Sequence, residues 1–416
     1  MTSGSSLPVV LRSRLSALFL LQYLATGSWF VTLGTYMSKS LGFDDIIGSA
    51  YGMIGLATIL STLFAGMLAD RYFATERLLA LAMLLGGVTL FWLSTIHASR
   101  PAFLGVMFLH SIFYSCGIPL GVALTFNALA DPGRQFPSIR IFGSIGFIVA
   151  GLVIGLIPGA GASALPMRMG AGVHIVGALY CLTLPHTPPR AERGRLNVLS
   201  ALGLDAVRGV RDLSFWVLII AVLVMVVPKK FYDSFFNNYL VEKSVAFHFG
   251  GIRVEPTAIQ TIGQIVEMGT LLLLPLLIAR LGIKRVMIIG MLGWIGRFLL
   301  WAYGFHGDQG IMPMILLGIM MHGVSYDFFF VSAQIWLDTR FPAITRARVQ
   351  AFYWFILSGV GVVLGSNVAG FVYARFTVSS MLHGWTSIWL APAIVTAFML
   401  VVFVRMFDES VRPAEV

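Results

Sequence analysis

Long apolar runs alternate with short polar segments along the whole chain. Each run spans about 20 residues, which is enough for a helix to cross the hydrocarbon core of a bilayer. Because backbone groups in lipid must satisfy their own hydrogen bonds, runs of this length indicate helices rather than barrel strands. The pattern predicts about twelve membrane helices, near residues 9–38, 46–68, 78–96, 103–129, 138–157, 169–184, 215–240, 257–279, 286–303, 312–337, 348–376 and 385–403.

The predicted helices form two groups of six, separated by a polar segment at 185–212. This segment begins with a stretch rich in proline and arginine, and its second part, 196–212, has the pattern of an amphipathic helix on a membrane surface. We therefore predict an N-terminal six-helix bundle at 1–184, a cytoplasmic linker at 185–212 and a C-terminal six-helix bundle at 213–416. Two such bundles are typical of pseudo-symmetric secondary transporters with a binding site near the middle of the membrane.

Composition also indicates a polytopic membrane protein. Of the 416 residues, 58% are hydrophobic and 11% are charged, against about 25% charged residues in soluble proteins. The net charge of +10 does not indicate nucleic-acid binding, because the basic residues concentrate in alternate connections between helices. This positive-inside pattern predicts that both termini are cytoplasmic. Its basic residues are Arg12, Arg14, Arg71, Arg77, Arg134, Arg190, Arg193, Arg195, Arg208, Arg211, Arg280, Lys284, Arg285, Arg340, Arg346, Arg348, Arg405 and Arg412.

Other sequence signals exclude several classes of protein. Cys116 and Cys181 lie in apolar helices, where we interpret them as buried small side chains rather than as a disulfide or a metal site. The first apolar segment is too long for the core of a signal peptide and is predicted to be an uncleaved first helix. The chain has no zinc-binding His-Glu-x-x-His, nucleotide-binding loop or catalytic triad pattern. We therefore expect no enzyme, no cofactor and no ATP-driven pump.

Two of the predicted helices carry polar residues on one face. Gln264 and Glu267 lie near the middle of helix eight, and a carboxylate at that depth is costly unless it faces a cavity, a partner or a proton path. The alternative for Glu267 is a structural pair between helices. In helix five, Arg140, Ser144 and Phe147 share a face, although Arg140 is close enough to the helix start to be a cytoplasmic anchor instead.

Helices ten and seven add further charged groups. His322 and Tyr326 share a face of helix ten with Asp327 beside them, and an intramembrane aspartate needs a partner or a proton. A histidine alone is more often satisfied by packing, so Asp327 is what makes this face a candidate. In helix seven, Lys230 and Asp233 are three residues apart and can pair along the helix.

The combined set of cations, carboxylates and aromatic rings suits a polar, planar solute with a ring and hydroxyl groups. A carboxylate that is both buried and close to a cation can exchange a proton near neutral pH. Glu267 and Asp327 are the two candidate proton carriers, and the sequence does not rank them. Pro228 predicts a local break in helix seven of the kind found at transporter sites, and we interpret Arg297 in helix nine as structural.

A charged turn follows the second predicted helix, and a weaker copy follows the eighth. The first reads Gly-Met-Leu-Ala-Asp-Arg at 66–71 and resembles the signature loop of the major facilitator superfamily. Its glycine permits close helix approach and its aspartate can pair at a helix end, which suits a latch that holds one conformation. The predicted latch residues are Gly66, Asp70, Arg71, Arg77, Arg280, Lys284 and Arg285.

Several blocks of sequence resemble the bacterial nucleoside:proton symporters of the major facilitator superfamily. They lie at 27–37, 136–148, 264–267, 282–287, 294–299 and 326–329. The resemblance implies the all-α fold of that superfamily. The chain departs from the family at Lys230 and Asp233, where a member has neutral amides, and at His322, where that member has a tyrosine. The substrate-binding residues predicted from the matched positions and these departures are Arg140, Ser144, Phe147, Lys230, Asp233, Gln264, Glu267, His322 and Tyr326.

The leading hypothesis is a symporter of the bacterial inner membrane that imports nucleosides with protons by alternating access. The proton gradient drives it, its partners are the nucleoside, protons and the lipid bilayer, and a monomer is expected. The alternative is a proton-coupled symporter for a sugar, a glycoside or a related polar metabolite, which the charges of Lys230 and Asp233 favour. A drug exporter would have fewer fixed charges, and a receptor or membrane enzyme would carry an appended domain or a catalytic motif.

Overall fold

The computed structural model describes residues 9–189, 198–306, 309–379 and 382–409. Twelve long helical segments run through these described residues, each corresponding to one predicted helix. The first nine are continuous: α1 (Val9–Trp29), α2 (Ile47–Arg71), α3 (Thr75–Leu93), α4 (Arg100–Ala128), α5 (Pro137–Gly155), α6 (Leu165–Cys181), α7 (Leu213–Glu242), α8 (Pro256–Leu281) and α9 (Ile283–Ala302). The composite helix α10 consists of Met312–Met320, His322–Tyr326, π-helical Asp327–Val331 and Ser332–Arg340. The last two are α11, made of Ala343–Trp354, π-helical Phe355–Val360 and Gly361–Arg375, and α12 (Trp385–Met406).

Short elements connect the long helices. Beyond α1 the chain continues through Leu33–Tyr36, π-helical Met37–Leu41 and the 3-10 turn Asp44–Ile46, and the other short helices are Pro132–Gln135, Ala160–Ala162, Val198–Ala201 and Leu204–Val207. Three antiparallel hairpins pair β1 (Phe247–Phe249) with β2 (Ile252–Val254), β3 (Phe305–His306) with β4 (Gln309–Gly310), and β5 (Thr377–Ser379) with β6 (Leu382–His383). They join α7 to α8, α9 to α10 and α11 to α12. All three therefore lie at the end of the molecule opposite the chain termini, which we call the distal end.

Most of the long helices have the dimensions of membrane spans. Among the described residues, nine helices are long and apolar enough to cross a membrane, or eleven if two bent pairs each count as one span. One bent pair lies in α2, and the other is α10, whose two parts meet at 44°. At 17 residues, α6 reaches the lower limit of the roughly 17–25 residues that a span needs. The prediction of an all-helical polytopic membrane fold is confirmed.

The predicted break at Pro228 is wrong, because α7 is continuous through this residue. Membrane helices tolerate proline where their surroundings satisfy the carbonyl group that it leaves free. The break occurs instead in α10, where Met321 separates two helical parts with a ψ angle of 2°. A π-helical stretch then begins at Asp327, and such stretches are frequent at functional sites. The irregular backbone therefore lies in α10 rather than in α7.

The two groups of six helices pack mainly within themselves. In the N-terminal half, α1 packs on α5 and α6, and α3 packs on α4 and α6; in the C-terminal half, α12 packs on α7 and α9. The halves meet where α2 packs on α11 and α5 packs on α8. Gly48 of α2 lies against Gly370 of α11, and a Cβ at Gly48 would be 2.7 Å from Gly370 Cα. Small residues therefore let these two helices touch through their backbones.

The described contacts between the halves concentrate at the distal end. Thr35 Oγ1 donates a hydrogen bond to Asn237 Oδ1 at 2.7 Å, and the Glu255 amide donates to the Gly155 carbonyl at 2.8 Å. Gly48 and Gly370 also belong to this distal part of α2 and α11. The halves are therefore joined at the end opposite the chain termini.

The linker differs from its prediction. Its residues 190–197, which include Arg190, Arg193 and Arg195, lie outside the described residues. The predicted amphipathic helix at 196–212 is wrong, because Val198–Ala201 and Leu204–Val207 are separate short helices. Gly203 between them has a φ of 70°, a left-handed conformation that favours glycine, and a Cβ there would collide with the Arg348 carbonyl. Asp205 pairs with Arg348 at 2.9 Å and Asp212 with Arg340 at 2.7 Å, so this part docks on the C-terminal half.

The Gly48→Ala variant tests the contact between α2 and α11. The added methyl group would lie 2.5 Å from the Ser366 carbonyl oxygen, and overpacking of this kind costs about 1–3 kcal/mol. We expect a lower melting temperature of the purified protein in detergent. Gly105→Ala in α4 is the matched control, because a Cβ there meets open space and alanine favours a helix by about 1 kcal/mol over glycine. Equal melting temperatures for the two variants would contradict the tight contact.

Candidate functional site

Glu267 of α8 pairs with His322 of α10 in the interior of the C-terminal half. Glu267 Oε2 lies 3.4 Å from His322 Nε2, and the glutamate side chain remains 30% exposed in the middle of an apolar helix. His322 begins the helical part of α10 that follows the break at Met321, and this part packs on α8. The break in α10 therefore directly precedes His322, the residue that pairs with Glu267.

The hydrogen bonds of His322 indicate which ring nitrogen carries its proton. Arg297 Nη1 lies 3.1 Å from His322 Nδ1, and a guanidinium group can only donate hydrogen bonds. His322 Nδ1 must therefore accept, which leaves the ring proton on Nε2, the atom that faces Glu267. This assignment follows from the hydrogen-bond network. It makes Arg297, His322 and Glu267 a chain in which each donor is directed toward the glutamate.

Arg297 is fully buried in α9 and lies in an aromatic cage. Its guanidinium carbon lies 4.3 Å from the ring centre of Tyr232, 4.6 Å from that of Trp301 and 5.0 Å from that of Trp294. Aromatic rings stabilise a cation in this position through their negatively charged faces. The interpretation of Arg297 as merely structural is incomplete, because Arg297 also orients the histidine that binds Glu267.

Asp327 is connected to Glu267 through Thr270. The Thr270 hydroxyl lies 3.0 Å from Asp327 Oδ2 and 2.9 Å from the Glu267 carbonyl oxygen. Asp327 is 2% exposed and opens the π-helical stretch of α10. The two carboxylates also interact electrostatically. The two candidate proton carriers are therefore neighbours, one partly exposed and the other buried.

The charged group of α7 lies between the two halves. Lys229 Nζ and Lys230 Nζ lie 2.5 Å and 2.9 Å from the same oxygen, Oδ2 of Asp233, so the predicted Lys230–Asp233 pair is present with a second lysine added. Lys230 Nζ lies 5.4 Å from the Phe30 ring centre in the N-terminal half. Lys229 Nζ lies 5.8 Å from the ring centre of Tyr326 in the C-terminal half. The trio thus lies against Phe30, directly after α1, on one side and against α10 on the other.

Arg140 faces Tyr23 rather than Glu267. Arg140 Nη2 donates a hydrogen bond to the Tyr23 hydroxyl at 2.5 Å, and its guanidinium carbon lies 4.3 Å from the ring centre of that tyrosine. Within the described residues, no ion pair joins Arg140 to Glu267, although the charges of both act on Tyr23. Ser144 and Phe147, one and two turns further along α5, are partly exposed. Sequence reasoning missed Tyr23, whose single polar atom gives no signal in an apolar run.

Several of the predicted site residues interact with Tyr326. Its hydroxyl interacts electrostatically with Glu267, Asp327, Asp233 and Tyr23, which belong to α8, α10, α7 and α1. Its ring stacks on the imidazole of His322 at 6.2 Å, and Gln264 is partly exposed one turn before Glu267. This arrangement presents carboxylates, amines, an amide and aromatic faces to one region. Such groups can hydrogen-bond a polar solute, stack on its ring and hold a proton.

The predicted latch residues lie at the end that carries the chain termini. A Cβ at Gly66 would meet open space, and the side chain of Asp70 lies outside the described residues. Lys284 donates hydrogen bonds to the Val404 and Phe407 carbonyls and thereby ties the start of α9 to the end of α12. The remaining predicted residues are Arg71 at the end of α2 and the exposed Arg77, Arg280 and Arg285. Their action as a latch stays a prediction.

Comparisons with known proteins agree along the whole chain. The Nucleoside H+ symporter family model matches residues 9–412. The nucleoside permease NupG of Escherichia coli strain K12 is 30% identical over 95% of this chain and 96% of its own length. The xanthosine permease of the same strain is 29% identical over 97% of both chains. The putative nucleoside transporter YegT, also of that strain, is 29% identical over 96% of this chain and 94% of its own length.

Solved structures support the same fold. A crystal structure of the nucleoside transporter NupG matches with a TM-score of 0.84 and 28% identity, over 96% of this chain and 99% of that one. A crystal structure of a POT family transporter matches with a TM-score of 0.71 over 94% of this chain and 95% of its own. Its identity is 11%, so this second likeness shows the fold alone.

The Thr270→Val variant tests the connection between Asp327 and Glu267. Valine keeps the shape of threonine but cannot donate to Asp327 Oδ2, and a buried acceptor that loses its partner costs about 1–3 kcal/mol. We expect a lower melting temperature for Thr270→Val. Thr270→Ser keeps the hydroxyl group and serves as the control, so it should remain closer to the unmodified protein. A valine variant as stable as the serine variant would show that the hydrogen bond contributes nothing.

Proposed function

Because this chain belongs to the Nucleoside H+ symporter family, within the major facilitator superfamily, we propose that it imports nucleosides together with protons by alternating access. The observation that carries this proposal is the Glu267–His322 pair at 3.4 Å, with the buried Asp327 bonded to Thr270 beside it. A symporter needs a group that binds a proton and contacts the solute in the same place. Glu267 is partly exposed and close to a second carboxylate, so it meets both requirements.

The side chains around Glu267 contact different parts of the solute in this proposal. Glu267, Gln264 and His322 hydrogen-bond the polar edge of the solute from α8 and α10. The rings of Tyr326 and Phe147 stack on its planar part. Asp327 is the second proton carrier in this proposal. Ser144, Arg140, Lys230 and Asp233 complete the predicted contacts from α5 and α7.

In this proposal the end that carries the chain termini faces the cytoplasm of a bacterial cell, and the distal end faces outward. Support comes from the basic residues near the termini, such as Arg14, Arg280 and Arg285, because cytoplasmic connections carry an excess of lysine and arginine. The contacts between the halves at the distal end then correspond to closure of the outer side. Transport requires that these contacts break and that contacts at the cytoplasmic end form. The latch residues, including Arg71 and Lys284, belong to that second set.

A second candidate substrate is a sugar, a glycoside or a related polar metabolite. Lys229 and Lys230 share one oxygen of Asp233, so two cations face one carboxylate in a region where a family member has neutral amides. Such a group can donate several hydrogen bonds to hydroxyl groups or attract an acidic group on the solute.

The first test is uptake of labelled uridine and adenosine into proteoliposomes, with and without an inward proton gradient. We expect accumulation only with the gradient, because the proton gradient supplies the free energy. Uptake that is indifferent to the gradient would contradict symport. Competition of uridine uptake by unlabelled adenosine and by a methyl glycoside separates the two substrates. Inhibition by the glycoside but not by adenosine would favour the second candidate.

The second test is the Glu267→Gln variant in the same assay. Glutamine keeps the size and hydrogen bonding of the side chain but cannot exchange a proton, so we expect loss of gradient-driven accumulation with unchanged folding. Asp338→Asn is the matched control, because Asp338 is 49% exposed and pairs with Arg346 at the protein surface. If Glu267→Gln accumulates nucleoside as well as Asp338→Asn does, Glu267 is not a proton carrier and only forms a structural pair between helices.

A further inference from the structure

A second cluster of ionisable side chains joins the two halves at the distal end, far along the helices from Glu267. Lys39 and Asp44 come from the segment that follows α1 in the N-terminal half. Glu242 ends α7, and His383 lies in β6 just before α12, in the C-terminal half. Lys39 Nζ lies 2.8 Å from Glu242 Oε2. This cluster was not predicted from the sequence.

Glu242 is the centre of the cluster. It accepts hydrogen bonds from Lys39 Nζ at 2.8 Å and from the indole nitrogen of Trp385 at 2.7 Å. It also accepts from His383 twice, from ring atom Nδ1 at 2.6 Å and from the backbone amide at 3.1 Å. An ionised carboxylate has about four acceptor sites, so these four donors satisfy it. Glu242 is therefore held as an anion that faces both halves.

His383 lies between two carboxylates, and its side chain is 0% exposed. Nδ1 donates to Glu242, while Nε2 lies 3.7 Å from Asp44 Oδ1 and has no hydrogen-bond partner among the described residues. A neutral imidazole has one N–H, so its second nitrogen would direct a lone pair at Asp44. An imidazolium instead offers one N–H to each carboxylate. The geometry therefore fits the charged form of His383.

Tyr373 of α11 and Trp385 of α12 also pack on the His383 ring. The Tyr373 ring of α11 stacks on the imidazole at 4.6 Å, and its hydroxyl donates to Asp44 Oδ1 at 3.2 Å. Burial lowers the pKa of His383, but its contacts with Asp44 and Glu242 outweigh burial and the charge of Lys39, and the pKa rises above its ordinary value. With His383 charged, two cations balance two carboxylates. With His383 neutral, one negative charge in this buried cluster is uncompensated.

A cavity lies beside this histidine at the distal end. A cavity of about 300 Å³ is lined by His383, Lys243, Phe305 and Trp385, together with other residues of α9 and α12. Lys243 and Phe305 are partly exposed there. The cavity therefore borders the cluster on the distal side of the protein. In the proposed orientation, this cavity opens on the outer side of the membrane rather than the cytoplasmic side.

We propose that His383 is a second proton-binding site, separate from Glu267, whose protonation closes the outer end of the transporter by joining Asp44 of one half to Glu242 of the other. The assignment of this end to the outside rests on the proposed function. A proton bound there stabilises the state with its outer side closed, because that state alone brings both carboxylates to the imidazole.

The sign of the pH dependence follows from the raised pKa in the closed state. Closure is fully stabilised below the ordinary histidine pKa of about 6.5. It weakens as the pH rises through the higher pKa of the closed state. Between these two values, the ratio of closed to open molecules falls by up to about tenfold for each pH unit, the limit for one proton.

The test measures the distance between spin labels across the distal end of the full chain in lipid nanodiscs, without substrate. The labels are attached at Ala98→Cys and Gln309→Cys, which are exposed positions on opposite halves, after replacement of Cys116 and Cys181 by alanine. We expect the short-distance population to decrease from about pH 5 to about pH 8, as for a histidine switch. A pH-independent distance distribution would overturn the proposal.

Two substitutions separate charge from folding. His383→Gln keeps one donor for Glu242 but no charge, so we expect a longer distance and no pH response. His383→Lys carries a charge across this pH range, so we expect the short distance throughout. His97→Gln is the control, since His97 contacts Tyr36 at the same end and should leave the pH response unchanged. A wild-type pH response in His383→Gln would overturn the proposal even if both proteins fold.

The same distance measurement in the Glu267→Gln variant separates the role of His383 from the proposed role of Glu267 in transport. The distance response should persist there, because the two proton sites are separate. A response lost in Glu267→Gln but retained in His383→Gln would assign the titration to Glu267 and overturn the inference. Failure of nucleoside uptake with an intact distance response would contradict the proposed substrate and leave the His383 site in place.

Discussion

Burying a charge in a low-dielectric interior costs several kcal/mol unless a partner compensates it, and this constraint organises the interior of the protein. Glu267 is partnered by His322, which is oriented by Arg297 in turn. Asp233 is partnered by two lysines of its own helix. The first set of contacts joins α8, α9 and α10, whereas the second lies within α7. Arg297 also packs on the Tyr232 ring of α7, so these contacts connect α7, α8, α9 and α10 around the candidate site.

The irregular backbone of α10 follows from the same constraint. A continuous helix repeats its side-chain directions every few residues, which limits how many polar groups it presents to one neighbour. The break at Met321 and the π-helical stretch from Asp327 place three functional candidates, His322, Tyr326 and Asp327, within a short segment beside α8. Irregular backbone at membrane depth is tolerated where it is buried in protein or lines a cavity. In α10 it lies where solute and proton are proposed to bind.

The two clusters of charge correspond to the two proposed roles, binding and closure. The central cluster around Glu267 lies mainly in the C-terminal half and reaches the other half through Tyr23 and Lys230. The distal cluster around Glu242 directly joins residues of both halves. A solute can contact the central charge pair, whereas the charge pair between the halves forms or breaks only when the halves move relative to each other. The same electrostatic principle therefore underlies both proposed roles.

By itself, the sequence determined the membrane class, the positions of all twelve helical segments and the family resemblance. This is possible because a span needs about 20 apolar residues whatever its neighbours are. It also determined the pairing of Lys230 with Asp233, since residues three apart on a helix are neighbours. Only the tertiary structure decided that α7 continues through Pro228 and that Arg297 orients His322. Lys39 and Glu242 are likewise joined only by the fold, because contacts between distant residues depend on how helices pack, which no local pattern encodes.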